Sequence, residues 1–178
     1  MIKALIIRLK SVLPFATAAL FLCGCTAVAP ANQSVAKLPV ETLWSANQSS
    51  YATAQPQALY VSDADRLNTL TRANTNRAAT AILGQRRVDW RREAVVWLYM
   101  GNKTSGGYGL RLAFPEAVVS HGTAVITVQW REPSPGALVT QQITSPCLVL
   151  KLPKGTYEKI EIRDETGRVR ARLVQGQH

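Results

Sequence analysis

Alternation of apolar and polar residues dominates the second half of the chain and predicts β-strands there. Residues 94–100, AVVWLYM, are apolar at every position, which is typical of a strand covered on both faces. We expect this strand at the centre of a sheet. Residues 124–130 and 147–152 alternate between apolar and polar or small side chains, which indicates strands with one buried face. Shorter runs at 41–44 and 58–61 predict two more strands.

A hairpin is predicted near the end of the chain, where residues 164–167, Asp-Glu-Thr-Gly, separate two alternating runs. A four-residue loop with its glycine last sets the register of the two strands. Apolar residues then face apolar residues, and one pair of opposite charges forms. The predicted pairs are Arg163 with Arg168, Ile162 with Val169, Glu161 with Arg170, and Ile160 with Ala171.

One short helix precedes the strand-rich region. Ser62 is the predicted N-cap, with Asp65 three residues later completing an approximate capping box. Apolar residues then recur at helical spacing to about Asn74, and residues 74–92 are predicted mostly as loop.

A single helix, many alternating strands and no βαβ rhythm make the predicted class mainly β, or α+β. We expect an antiparallel β-sandwich or small barrel, with the short helix covering one edge or face.

The first 24 residues have the order of a secretion signal. Basic residues precede an apolar run at 12–22, which is shorter than the roughly 20 residues that a spanning helix needs. The run ends in Leu22-Cys23-Gly24-Cys25, which resembles the lipobox of bacterial lipoproteins. Cys25 fits better than Cys23, because modification of Cys23 would place bulky Leu22 before the cleavage site. An ordinary secretory signal is the alternative.

This signal predicts the organisation of the rest of the chain. We expect cleavage after residue 24, a lipid on Cys25, a flexible tether over 25–39 and a single β-rich domain over 40–178. Thr26 stands where an inner-membrane retention signal would have Asp, so a Gram-negative host would place the lipoprotein in the outer membrane, facing the periplasm or the surface.

The chain is basic, with a formal net charge of +10. Inside a cell this charge would suggest nucleic acid, but an exported protein meets anionic lipid head groups, envelope polymers or acidic proteins instead. A structural role in gripping such a polymer is one hypothesis, and a solvated outer face of an amphipathic hairpin is the alternative, since the last three arginines alternate on one strand face. The arginines concerned are Arg86, Arg87, Arg91, Arg92, Arg168, Arg170 and Arg172.

Residues for catalysis are scarce, and we expect no enzymatic activity. Of two histidines, His178 ends the chain and His121 lies in a predicted turn. Cys147 begins a predicted strand, which favours a buried apolar role over a reactive thiol. His, Cys, Asp and Glu do not recur at metal-ligand spacing, so neither a metal nor a cofactor is expected.

The most unusual local feature is the stretch 101–109, Gly-Asn-Lys-Thr-Ser-Gly-Gly-Tyr-Gly, between two strand patterns. It is not a phosphate-binding loop, because Lys103 precedes the glycine pair and a strand follows. Two interpretations remain open. The segment is a tight connection with Gly106 and Gly107 at positive φ, or a rigid loop that presents Tyr108 and backbone donors to a partner.

This loop and its flanks resemble the C-terminal domain family of PrcB, named after a lipoprotein that associates with a surface protease and supports its stability. Residues 88–90, the strand VVWLYMG and the loop carry the resemblance, together with Glu-Pro-Ser-Pro-Gly at 132–136 and a Leu-Val-Leu strand ending at Gly155. It spans about 88–155. Thr104, Gly106, Gly107 and Tyr108 match the family's loop, whereas Lys103 and Ser105 depart from it.

The resemblance implies a β-rich, non-enzymatic interaction module. Our leading hypothesis is that Thr104, Ser105, Gly106, Gly107 and Tyr108 hold a partner protein, for which the resemblance suggests a protease. The same loop is also similar, more weakly, to a loop of chagasin-type inhibitors of papain-like proteases, since Asn102, Thr104, Gly107 and Tyr108 partly match. Protease inhibition is therefore the alternative function.

Overall fold

The computed structural model describes residues 35–49, 53–73 and 88–175 of the chain. The predicted signal at 1–24, Cys25, Arg86 and Arg87, and His178 lie outside these described residues.

Ten strands form two sheets that do not close into a barrel within the described residues. The six-stranded sheet has the order β1-β6-β7-β9-β10, and β5 pairs with β7 on the edge that β6 also uses. Its strands are β1 (Ala36–Pro39), β5 (Gly109–Leu112), β6 (Glu116–Ser120), β7 (Thr123–Arg131), β9 (Lys159–Asp164) and β10 (Val169–Val174).

The four-stranded sheet has the order β2-β8-β4-β3. Its strands are β2 (Glu41–Ala46), β3 (Gln57–Val61), β4 (Glu93–Tyr99) and β8 (Cys147–Pro153). The predicted mainly β class and the sandwich are thus confirmed, with one helix, α1 (Ala64–Ala73), in the described residues. The pairing is antiparallel as expected except between β7 and β9, which run parallel.

The main core lies between the two sheets. Val96, Leu98, Leu148 and Leu150 of the four-stranded sheet pack with Ile126 and other buried residues of the six-stranded sheet. Each fully buried side chain of this size stabilises the fold by about 1.5–3 kcal/mol. The strict alternation in β7 reflects this single buried face, as predicted.

A second core covers the other face of the four-stranded sheet. Trp97 and Tyr99 of β4 stack there, with ring centroids 5.7 Å apart, and Leu67 and Leu70 of α1 pack against the same cluster. The all-apolar strand β4 is therefore central and covered on both faces, as its sequence predicts. The prediction that the neighbouring β8 is half-buried is wrong, because Cys147 and Val149 are buried in this second core.

The helix begins one residue later than predicted. Asp63, not Ser62, is the N-cap, since its Oδ1 accepts a hydrogen bond from Arg66 N at 2.8 Å. Ser62 Oγ donates to Asp63 Oδ2 instead, at 2.8 Å. The bond from Arg66 N, which is the larger cause, and this hydroxyl lower the pKa of Asp63.

The terminal hairpin forms, but its predicted register is wrong by one residue at Val169 and by two residues from Ala171 onward. Glu165, Thr166 and Gly167 make a three-residue loop with Gly167 at φ +83°, and a β-bulge follows between Val169 and Ala171. Because the shift beyond the bulge is even, apolar residues still face apolar residues there. The observed pairs are Arg163 with Val169, Ile162 with Ala171, Glu161 with Arg172 and Ile160 with Leu173.

The tether prediction is wrong for its last four residues. Ala36–Pro39 form β1, an edge strand that pairs with β6 from Ala36 opposite Val119 to Pro39 opposite Glu116. Lys37 also forms an ion pair with Glu116, 2.8 Å between Nζ and Oε2. Too few residues alternate here for the sequence to predict the strand, and pairing with β6 supplies what the local pattern lacks.

Candidate protein-binding site

The predicted binding loop connects the central strand β4 to the edge strand β5, and we call residues 101–108 the glycine loop. It starts at Gly101, with φ +82°, where a Cβ would lie 3.0 Å from Ala54 O. Asn102 N donates to Thr53 O at 2.7 Å. The first turn of the loop is thus held against the segment that leads into β3.

The rest of the glycine loop is bonded to the connection between β7 and β8, residues 132–146, which we call the long loop. Lys103 and Thr144 exchange two backbone hydrogen bonds, at 2.8 and 2.9 Å. Gly106 N donates to Thr140 O at 2.8 Å, and Thr144 Oγ1 donates to Ser105 O at 2.8 Å. The two loops therefore form one unit, which we call the loop platform.

Gly106 and Gly107 of the glycine loop both lie close to side chains of the long loop. A Cβ on Gly106 would overlap Thr140 Oγ1. Gly107 has φ +88°, and a Cβ there would lie 3.0 Å from Val139 Cγ1 and 3.1 Å from Pro133 Cβ. Of the two glycines predicted at positive φ, Gly107 is correct. Gly106 is not, and its close neighbour is the Thr140 side chain.

The predicted contact residues divide into exposed and packed ones. Thr104 and Gly107 are exposed, whereas Gly106 is buried and Ser105 is half-buried. Tyr108 is also half-buried, because it packs against the main core. Lys103 Nζ lies 5.4 Å from the centroid of its ring, a cation–π distance. These contacts agree with the tight-connection interpretation, and presentation of Tyr108 and backbone donors to a partner stays a prediction.

Sequence reasoning missed the long loop as part of the site. It exposes two aliphatic side chains, Leu138 fully and Ile143 at 70% of its surface. Water-exposed aliphatic residues beside a hydrogen-bonded loop suit contact with another protein. The available signal was that both interrupt an otherwise polar and proline-containing stretch without any strand or helix period.

A groove runs from Tyr108 along β5, and we call it the arginine groove. One side of the groove includes Ser45 of β2 and Asn47, which follows that strand. The other side includes Arg111 of β5 together with Gln129 and Arg131 of β7. Ser45 Oγ donates to Leu110 O at 3.2 Å, which holds the edges of the two sheets together beneath the groove.

Cys147 and His121, the residues considered for reactivity in the sequence, lie in a buried strand and in a turn. Cys147 is completely buried, and this burial raises the pKa of its thiol to about 12. His121 and Gly122, with φ 49° and 69°, form the two-residue turn between β6 and β7, as expected of a turn residue. Within the described ranges, no three His, Cys, Asp or Glu side chains are grouped so as to hold a metal ion.

The predicted arginine face on β10 does not form. Arg170 contacts inner-face residues, with Nε 2.8 Å from Asp164 Oδ2 and its guanidinium 4.6 Å from the Trp130 ring centroid. Arg172 pairs instead with Glu161, Nε to Oε1 3.0 Å. The bulge after Val169 separates the two arginines, so the prediction that they alternate on one face is wrong.

The fold and the site together define a β-sandwich whose loop platform joins its two sheets. Residues 94–153 match the family described as PrcB C-terminal, so this part of the chain is a PrcB C-terminal-like domain. The match runs from β4 to β8 and includes the whole loop platform, which confirms the resemblance seen in the sequence. No curated protein and no solved structure matches the chain. No helix of the described residues is long and apolar enough to cross a membrane.

Proposed function

We propose that this protein is a non-enzymatic, lipid-anchored module of the cell envelope that binds a partner protein through its loop platform. The partner class that we propose is a protease, which the module stabilises or assists. The lipid on Cys25 would hold the domain at the outer membrane, where it meets an envelope partner.

The observation that carries this proposal is the construction of the platform. Backbone hydrogen bonds join the glycine loop to the long loop, while Leu138 and Ile143 remain exposed on it. A surface that is ordered before binding loses little conformational entropy on association, and exposed aliphatic groups gain from leaving water. Both properties favour a protein partner.

The protease class rests on the family match. The matched segment contains every residue of the platform, and the resemblance implies a protein that works with a protease. The scarcity of catalytic groups in the sequence supports an accessory role over a catalytic one.

Site-specific photocrosslinking in the native host tests the platform. A photoreactive residue replaces Gln142, which is exposed beside Ile143, in the full chain. We expect one dominant crosslinked protein, identified by mass spectrometry as a protease. Leu138→Ser/Ile143→Ser should reduce its recovery at least tenfold, since two interface side chains are lost and each 1.4 kcal/mol is tenfold.

The matched control is Phe114→Ser/Val118→Ser, which removes two exposed apolar side chains from β6 and the connection before it. Recovery should stay at the parent level in this variant. Equal recovery from the platform variant and the control would refute the platform, and a dominant partner without proteolytic activity would refute the protease class.

Metabolic labelling with a palmitate analogue tests the anchor. The full chain and its Cys23→Ser variant should incorporate the label and fractionate with the outer membrane. Cys25→Ser should incorporate none. Label that persists in Cys25→Ser, or that is lost from Cys23→Ser, would show that Cys25 is not the lipidated residue.

A further inference from the structure

The arginine groove carries two positive charges that form no ion pair within the described part of the chain. Arg111 on β5 and Arg131 on β7 are exposed, and neither forms an ion pair with any described residue. In the antiparallel register Arg111 lies opposite Gln129 and Gly109 opposite Arg131, so the two arginines are diagonal neighbours on one face. Diagonal neighbours have Cα atoms about 7–8 Å apart, close enough for both guanidinium groups to reach one anionic segment.

The nearest acidic side chain in sequence is already engaged elsewhere. Glu132 accepts a hydrogen bond from Trp130 Nε1 at 2.7 Å and lies 3.5 Å from Arg170 Nη1. Two like charges next to each other on one face of a sheet repel and slightly destabilise the sheet. An anion bound between Arg111 and Arg131 would remove this repulsion.

Space for such an anion exists over Gly109. A Cβ built at this position would meet no atom within 4 Å. Gly109 therefore leaves open space beside Arg131 and Arg111. The side-chain amides of Asn47 and Gln129 also line the groove and add hydrogen-bonding groups. Two guanidinium groups and two amides around this open space suit carboxylates.

We infer that the arginine groove binds an acidic segment of the partner protein, whose Asp or Glu carboxylates bridge Arg111 and Arg131. This inference rests on the proposed function and names the chemistry of the partner. The charge of the two arginines is complementary to that of an acidic segment. The groove is also continuous with the platform, because Tyr108 belongs to both. The partner would then cover the platform with apolar residues and the groove with acidic ones.

The test uses the full chain in its native host, with a photoreactive residue in place of Gln129. We expect the crosslink to join position 129 to a peptide of the same partner that the Gln142 crosslink recovers, and that peptide should contain closely spaced Asp or Glu residues. Arg111→Gln/Arg131→Gln should reduce recovery through position 129 about tenfold, because charge-assisted hydrogen bonds are lost.

The matched control is Arg168→Gln/Arg172→Gln, which removes the same charge from the exposed hairpin and should leave recovery unchanged. Lipid or polymer adducts at position 129, a peptide without acidic residues, or full recovery from the groove variant would each overturn the inference. The Gln142 crosslink separates the two proposals. If it still captures the protease while the groove variant has no effect, only the groove fails; if it captures no protein, the proposed function fails.

Discussion

Arg170 and Arg172 on β10 and Arg111 and Arg131 on β5 and β7 are all strand arginines, yet their surroundings differ. The first pair is engaged by the protein itself, since Arg170 meets Asp164 and Trp130 and Arg172 meets Glu161. The second pair has no acidic partner among the described residues. Net charge alone therefore does not locate a binding surface, because only charges left uncompensated by the fold are available to a ligand.

The largest effect on stability should come from Asp164, the carboxylate that pairs with Arg170. Asp164 is buried, and its Oδ1 accepts bonds from Thr166 N and Arg168 N while Oδ2 accepts from Arg170. Asp164→Ala should lower the free energy of unfolding by about 3 kcal/mol, as measured by urea denaturation. Glu165→Ala, in the exposed turn, is the control and should change it by less than about 0.5 kcal/mol.

The same acid should make stability depend on pH. The Thr166 hydroxyl, chiefly, lowers the pKa of Asp164 from 3.8 to about 2, with contributions from Arg168 N and Arg170. A lowered carboxyl pKa adds stability above the unfolded pKa and loses it as pH falls, so this contribution should decline between about pH 4 and pH 2. The decline in melting temperature over this range should be shallower in Asp164→Asn. A parallel decline would contradict the assignment.

Of the two β10 arginines, Arg170 should contribute more to stability than Arg172. Arg170→Met leaves the Asp164 carboxylate without its cationic partner and removes the contact with Trp130, which should cost about 1–2 kcal/mol of unfolding free energy. Arg172 has a 70% exposed side chain, so Arg172→Met should cost less than about 1 kcal/mol. Equal losses from the two variants in urea denaturation would show that burial does not set the difference.

The smallest effect on stability should come from Arg111 and Arg131 in the arginine groove. Arg111→Gln/Arg131→Gln removes exposed charges that have no ion pair in the described structure, so the free energy of unfolding should change by less than about 0.5 kcal/mol in urea denaturation. A small increase is consistent with relief of repulsion. A loss above about 1 kcal/mol would mean that these arginines serve the fold rather than a ligand.

The strand pattern could be predicted because burial on one or both faces is recorded in the sequence itself, as in residues 94–100 and 124–130. The hairpin register could not, since it depends on the buried side chain of Asp164 and on the bulge after Val169. Likewise Ser62 and Asp63 are both good capping residues, and only the backbone geometry decides between them.

The site could be predicted in part. The run Thr104 to Tyr108 is recognisable from its glycines and aromatic residue, but Leu138 and Ile143 are about 35 residues away in sequence and join it only because β4 and β8 are neighbours in the sheet. The arginine groove needs β2 beside β5, a contact between the edges of two different sheets. Contacts of this kind leave no periodic signal along the chain.

The pairing of β4 with β8 has a consequence for how the platform moves. The glycine loop leaves the end of β4 and the long loop enters β8 at Cys147, and both strands are buried on both faces. Amides in such strands exchange with solvent only when the whole domain opens, so these amides should be the slowest to exchange. Hydrogen bonding between Lys103 and Thr144 extends that protection to the platform residues that lie nearest these two strands. The part of the platform next to β4 and β8 should therefore keep its shape for as long as the domain stays folded.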